Sequence, residues 1–331
     1  MYNVSYMSKE VSIIDLKIDQ KIESVAFALK ELEQKVSRVG KPYYNVLLGD
    51  KTGELRGKVW TENLDKCDKN ANVGSIVLVS GTIQEFAGKP QIIIDSLEIA
   101  TGMAPEEFLP VTSRDRSEMR SELEERMQKI QNPHLKALVD KFWSDENNRD
   151  KFLNFPAGEY VHHGYVGGLL EHVWEMYRLS LPFFEIHPNL DSDLFFTGLL
   201  FHDIGKLEEL DIVGAAIIRT TSGRLVAHIG QGLVFVDRLV QEIPDFPEDL
   251  RDKLYHMILS HQGALEHGSP ILPQTLEALI LSFVDANSAD MNQATKHIEK
   301  DLETGEDFTG YHKWLGRSFY MKDRLNSEDS D

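Results

Sequence analysis

The chain has one cysteine, Cys67, in 331 residues. That excludes a disulfide framework and a zinc site built from cysteines, and it suits a reducing cytoplasm. No apolar run approaches the roughly 18 residues of a membrane span. The first residues, MYNVSYMSKEVS, lack the apolar core of a secretory signal. Positive charge is scarce as well: 35 Lys and Arg stand against 54 Asp and Glu, a net charge of −19. A surface that acidic does not bind nucleic acid everywhere. The deficit is uneven, however. Residues 1–100 carry 13 basic and 14 acidic side chains, net −1, and the remaining 231 carry 22 and 40, net −18. A near-neutral module followed by an acidic one implies two jobs, and the acidic one suits metal cations.

Hydrophobic residues at 41% and charged residues at 27% are the proportions of an ordinary soluble globular chain, long enough for two domains. Residues 12–100 read as β. Short apolar, β-branched runs at 46–48, 55–60, 75–80 and 91–94 are separated by turn material: Gly49-Asp50-Lys51-Thr52-Gly53, Asn72-Val73-Gly74 and Ala87-Gly88-Lys89-Pro90. About five short strands in some ninety residues suit a small barrel better than a sandwich. Lys21–Val36 fits a long strand pair or a helix equally. Residues 101–130 are a junction, broken by Pro105 and Pro110, with Thr112-Ser113 placed to cap a polar helix over 114–130. Residues 131–315 are helical in pattern, with boundaries at Asn132-Pro133, Phe155-Pro156, Ile186–Pro188 and Ile243–Pro247. Residues 316–331 form a tail, acidic over its last seven residues. The fold class is therefore multi-domain α and β, a small N-terminal barrel followed by an all-α bundle.

Twelve histidines prove nothing by number; their settings decide. His172 lies in an apolar helix, one turn from Leu169 and Met176. His202 and Asp203 end the strongly apolar LFFTGLLFHD, and a buried Asp is costly unless paired or on a metal. His228 opens a further helix. Leu250, Leu254, Ile258 and His261 follow at +4, +4 and +3 and share one helical face, so His261 points where the leucines point. Asp285 closes the apolar run EALILSFVD, one turn from Leu281. A lone inward histidine is more often a hydrogen-bonded core residue than a ligand. Six imidazoles and carboxylates aimed inward from five helices call for a cation, and nitrogen and oxygen donors suit Mn, Fe, Zn or Mg.

The order His … His-Asp … His … His … Asp over residues 160–290, with GLLEH and HDIGK, resembles the HD-domain metal-dependent phosphohydrolases. The resemblance implies that His172, His202, Asp203 and Asp285 hold one metal and that Asp203 bridges to a second on His228 and His261. His256 is a weaker ligand candidate, about 140° round the helix from His261. Many relatives have a second histidine where this chain has Gln262. Two metals roughly 3.5–4 Å apart can share a hydroxide and neutralise a phosphate. Asp203, Lys206 as a phosphate-binding point charge and His163 as a proton donor are the catalytic candidates; a solvated helix-end lysine and a helix-capping His162-His163 pair are the plain alternatives.

The N-terminal barrel resembles an OB-fold, carried by YYNVLLGDKTGELRGKVW. OB-folds stack bases on aromatics at about 1–3 kcal/mol per base, with cations along the backbone. Tyr43, Tyr44, Trp60 and Phe86 with Arg56, Lys58 and Lys89 are the candidate nucleic-acid contacts. An OB-fold followed by GLLEHVWEM, GLLFHDIGKLEEL, HMILSHQG and GSPILPQTLEALILSFVDA is similar to the YhaM-type 3′-to-5′ exoribonucleases over residues 12–315. That resemblance implies release of nucleoside monophosphates from single-stranded RNA, with single-stranded DNA as a second substrate. It also implies a cytoplasmic enzyme using Mn²⁺, with Fe, Zn, Co or Mg as substitutes, one or two ions per chain, no membrane partner and room for a homo-oligomer. Two other readings fit the same residues: an HD-type nucleotidase or cyclic-nucleotide phosphodiesterase with a regulatory OB module, and a non-catalytic nucleic-acid-binding protein.

Overall fold

The computed structural model describes residues 11–322 except Arg38, Ala87, residues 104–106 and residues 160–161. The acidic residues 325–331 lie outside the described residues, as do Pro105 and Ala87. The chain divides into two compact units, one containing the first 111 residues together with Leu210–Arg219, the other the rest.

The first unit is a closed barrel of β1 (Lys21–Val36), β2 (Pro42–Asp50), β3 (Gly53–Val59), β4 (Ile76–Phe86) and β5 (Lys89–Ile99), in the order β1-β2-β3-β5-β4. Closure comes from the parallel pairing of β3 with β5, the other neighbours being antiparallel. The ambiguous segment Lys21–Val36 is one strand long enough to pair with β2 along one part and β4 along another. Its ladder shifts register between Ile22 and Val25 and between Leu29 and Glu31, so its apolar residues do not alternate and mimic a helix. Phe27, Leu29, Leu48, Leu55, Val77, Ile83 and Ile92 fill the interior. Glycine is required at Gly81, where β4 bulges against β5: a Cβ there collides with the Ile93 carbonyl.

The second unit is helical: α1 (Arg116–Gln128), α2 (Pro133–Ser144), α3 (Glu146–Asn154), α4 (Gly168–Ile186), α5 (Ser192–Phe201), α6 (Lys206–Glu209), α7 (Thr221–Gln241), α8 (Glu248–Ser260) and α9 (Leu276–Asp301). The cap of α1 is Asp115, accepting from the Ser117 and Glu118 amides, not Thr112-Ser113. Asn132 caps α2 with Pro133 at its first turn. The core is one continuous cluster to which all nine helices contribute, and every residue of α5 from Leu194 to Phe201 is buried. At about 25 cal/mol per Å² of apolar area, so deeply buried a helix is held by burial and not by propensity.

Two features depart from an all-helical reading of 131–315. A hairpin, β6 (Leu210–Val213) and β7 (Ala216–Arg219), interrupts it and groups with the barrel. Ala215 donates its amide to the Gly74 carbonyl at 2.9 Å and joins Ala26, Ala28, Ile76, Met103 and Phe108 in a small apolar cluster. The tail also starts later than residue 316: Phe308 bridges Tyr320, His312 bridges Arg317, and the Met321 amide donates to Asp307.

Candidate metal centre and nucleic-acid interface

Six side chains remote in sequence converge in the helical unit. His172 comes from α4, His202 and Asp203 from the end of α5, His228 from α7, His261 from the end of α8 and Asp285 from the middle of α9. Asp285 does not end its helix, which runs on to Asp301. His172, His202 and Asp285 form one triplet of donor atoms within 4.8 Å of one another, and Asp203, His228 and His261 form another. His172 Nε2 lies 3.2 Å from Asp285 Oδ1, 3.3 Å from His202 Nε2 and 3.8 Å from Asp203 Oδ2. Asp203 joins the triplets: its Oδ2 is 3.6 Å from His202 Nε2, and its Oδ1 is 3.5 Å from His228 Nε2 and 3.6 Å from His261 Nε2.

Glycine brings α7 close. In HDIGK, a Cβ on Gly205 would collide with the backbone of His228 and Gly232. Just before His228, Ala227 breaks α7 with φ 58°, a left-handed conformation that a non-glycine residue adopts only under constraint.

Hydrogen bonds at the rear of each ring fix what its front offers. His202 Nδ1 donates to the Leu199 carbonyl (2.8 Å) and His261 Nδ1 to the Ile258 carbonyl (2.7 Å). Ser288 donates to Glu175 Oε2 (2.8 Å), so its oxygen accepts from His172 Nδ1 at 3.0 Å. His228 Nδ1 faces Glu209 Oε2 at 3.2 Å. With Nδ1 protonated in all four, each Nε2 presents a lone pair to the centre. For two of the rings burial disfavours the charged form, pushing His202 down and His261 to about 4. Burial alone would raise the pKa of both carboxylates, but charge reverses it. The Lys206 ammonium holds Asp203 well below the usual range, and the close polar contact with His172 at 3.2 Å holds Asp285 down as well.

Lone pairs facing lone pairs and ionised carboxylates repel one another. Asp203 Oδ1 and His228 Nε2 are buried without a hydrogen-bond partner. The species that satisfies every donor at once is a divalent cation, and a nitrogen and oxygen donor set of this kind fits one.

The remaining candidates separate. Lys206 is buried beside the centre, its Nζ 3.6 Å from Asp203 Oδ2, and is no solvated helix-end lysine. His163 is fully buried, its ring 5.3 Å from that of His172 and its Nε2 3.3 Å from Glu175 Oε2. The loop before α4 is irregular, His163 itself having φ 44°, so adjacency in sequence said nothing about direction. Its neighbour His162, 5.8 Å from the His172 ring, is pushed down to about 3 by burial and by the charge of Lys206. His256 is excluded from the cluster because its Nε2 accepts from the Gln274 amide at 2.8 Å. Gln262 holds its amide nitrogen 3.1 Å from His261 Nε2. Glu209, Glu175 and Ser288 escaped sequence reading. The last two follow His172 and Asp285 by three residues, the same helical face, which is a usable signal.

On the barrel, Tyr43, Lys58, Trp60 and Phe86 make one aromatic-basic surface. The Tyr43 and Trp60 rings are 5.3 Å apart, and Lys58 Nζ lies 5.8, 5.3 and 5.1 Å from the rings of Tyr43, Trp60 and Phe86. Arg56 is exposed on β3, two residues from Lys58, and Lys89 pairs in register with Phe86. Tyr44 is not part of this surface. Alternation along β2 turns it to the barrel interior, against the core cluster.

Among the described residues no helix is long and apolar enough to cross a membrane. Residues 28–100 match the family profile of the OB-fold nucleic acid binding domain and residues 169–290 that of the HD domain. A protein named 3′-5′ exoribonuclease YhaM from Geobacillus sp. is 30% identical over 93% of this chain and 94% of its own length. The protein of that name from Listeria monocytogenes is 30% identical over 94% of this chain and 98% of its own, and that from Oceanobacillus iheyensis 29% over 88% and 91%. Matched over more than nine-tenths of its length, barrel and helical unit together, this chain belongs to the YhaM family of 3′-5′ exoribonucleases.

Proposed function

We propose that this protein is a metal-dependent 3′-5′ exoribonuclease that shortens single-stranded RNA to nucleoside monophosphates, accepts single-stranded DNA as a second substrate, and works in the cytoplasm. The observation that carries the metal requirement is the convergence of four Nε2 lone pairs and two ionised carboxylates on one point. His172, His202, Asp203 and Asp285 would hold one ion and Asp203, His228 and His261 a second, with Mn²⁺ the favoured metal. When bound, such ions neutralise phosphate charge and acidify water at neutral pH.

The chain's own residues supply the rest. Asp203 offers one oxygen to each triplet, which holds them in register. Lys206, tethered to Asp203, is a fixed positive charge for a phosphate oxygen. His162, kept neutral by burial, offers a ring nitrogen as a hydrogen-bond partner beside the centre. Barrel aromatics stack bases while Lys58, Arg56 and Lys89 meet the backbone. An oligonucleotide therefore has reason to bind where a mononucleotide does not, which favours an RNA substrate over the nucleotidase reading.

The test is a 5′-labelled RNA offered with a free and with a blocked 3′ end. A ladder shortening by single nucleotides from the free end alone, absent with Asp203→Asn although RNA still binds, is the expected result. Equal degradation of the blocked strand, or faster turnover of free nucleotides than of RNA, would refute the reading.

A further inference from the structure

Residues 308–322, FTGYHKWLGRSFYMK, are chemically foreign to the acidic half of the chain. They contain Lys313, Arg317 and Lys322 and no Asp or Glu. The segment doubles back on itself: Phe308 pairs with Tyr320 and His312 with Arg317, and the Gly316 amide donates to His312 at 2.9 Å. The segment is anchored: Thr309 and Met321 are buried, and the His312 ring packs on His297 at 4.8 Å. Its other aromatics are open: Phe308 is 57% exposed, Tyr311 66%, Trp314 80% and Tyr320 50%. The Phe308 and Tyr320 rings meet edge to face at 5.3 Å, which stiffens the pair.

Four exposed aromatics in one short segment are not explained by the core, which Thr309 and Met321 already serve. Their setting identifies the partner by charge. Lys322 is offset by Asp307 at 3.4 Å, but Lys313 and Arg317 stand on the turn beside Trp314. A basic aromatic strip in a unit of the opposite sign complements a polyanion with flat faces. We propose that residues 308–322 are a second single-strand contact, on which bases of the RNA stack over Trp314 and Tyr311 while Lys313 and Arg317 meet phosphates. The identity of the strand rests on the exoribonuclease reading; the surface does not.

The test uses the full chain in EDTA, so that nothing is cleaved, and the anisotropy of a fluorescein-labelled oligouridylate about twenty nucleotides long, longer than one OB footprint of about 4–16 nucleotides. Trp314→Ala should raise Kd about tenfold, the loss of one stacked base, and Trp314→Phe should restore most of it. Lys313→Gln with Arg317→Gln should lower the slope of log Kd against log salt by about 1.4. Melting temperatures should match the parent. Unchanged Kd and salt slope, with the parent binding normally, overturn this inference alone. Failure of the parent to bind RNA overturns the exoribonuclease reading with it. A fall in molar mass by light scattering on Trp314→Ala would make the strip a contact between copies and overturn it too.

Discussion

Each central imidazole is held by a bond on its far side, and that bond sets its chemistry. Glu175 is the case open to test. Its carboxylate obliges Ser288 to donate toward it and hence to accept from His172. Remove the carboxylate and Ser288 can donate to His172 Nδ1, which moves the ring proton to Nε2 and blocks the lone pair. Glu175→Ala should therefore weaken Mn²⁺ binding by about 10–100-fold, with turnover recovering at saturating metal. Glu175→Gln, which keeps an acceptor, should retain most affinity; equal Mn²⁺ affinity in parent and Ala variant would contradict the relay. Acid stability belongs to the same scale. Free histidine titrates near 6.5, whereas burial holds His162 at about 3 and His261 at about 4 in the folded chain. Above 6.5 both states are unprotonated and these groups contribute nothing. Between 6.5 and about 4 the unfolded chain binds more protons, so folded stability falls as pH falls. The metal-free protein should lose roughly 1.4 kcal/mol per pH unit for each such histidine in that window. Urea denaturation in EDTA at pH 7 and pH 5 measures it, and equal or greater stability at pH 5 would be the wrong sign.

At the scale of elements, the centre depends on backbones that approach closely. Gly205 lets α7 lie against the turn that carries Asp203. Gly205→Ala should push α7 outward, cost several kcal/mol by overpacking, and take His228 away from Asp203 first. Metal counting on the folded variant should show one ion lost before the other; full metal content at parental stability would show that α7 yields. Elements also mark how far the sequence could be read. The face shared by Leu250, Leu254, Ile258 and His261 was legible because an α-helix repeats faithfully, and the inward aim of the central histidines followed. Glu209 was not, since Glu208 precedes it and a four-residue helix has no periodicity to choose between them. His162 and His163 were inseparable because they lie outside any repeating element. β1 was ambiguous because two register shifts erase alternation. The hairpin at 210–219 was silent because strands of four residues carry too few positions to show a period.

For the whole molecule, charge organises the work. The acidic helical unit repels a polyanion except at fixed cations such as Lys206 and at the 308–322 strip, while the near-neutral barrel offers a surface a strand can approach. The claim beneath all of this is that His172, His202, Asp203, His228, His261 and Asp285 are one cage for cations. Equilibrium dialysis of EDTA-stripped protein against Mn²⁺, with bound metal counted for the parent and for Asp203→Ala, measures it most directly. Two ions per parental chain and fewer than one in the variant, both folded, are expected. A parental chain that retains no metal, or a variant that retains the parental number, would contradict it.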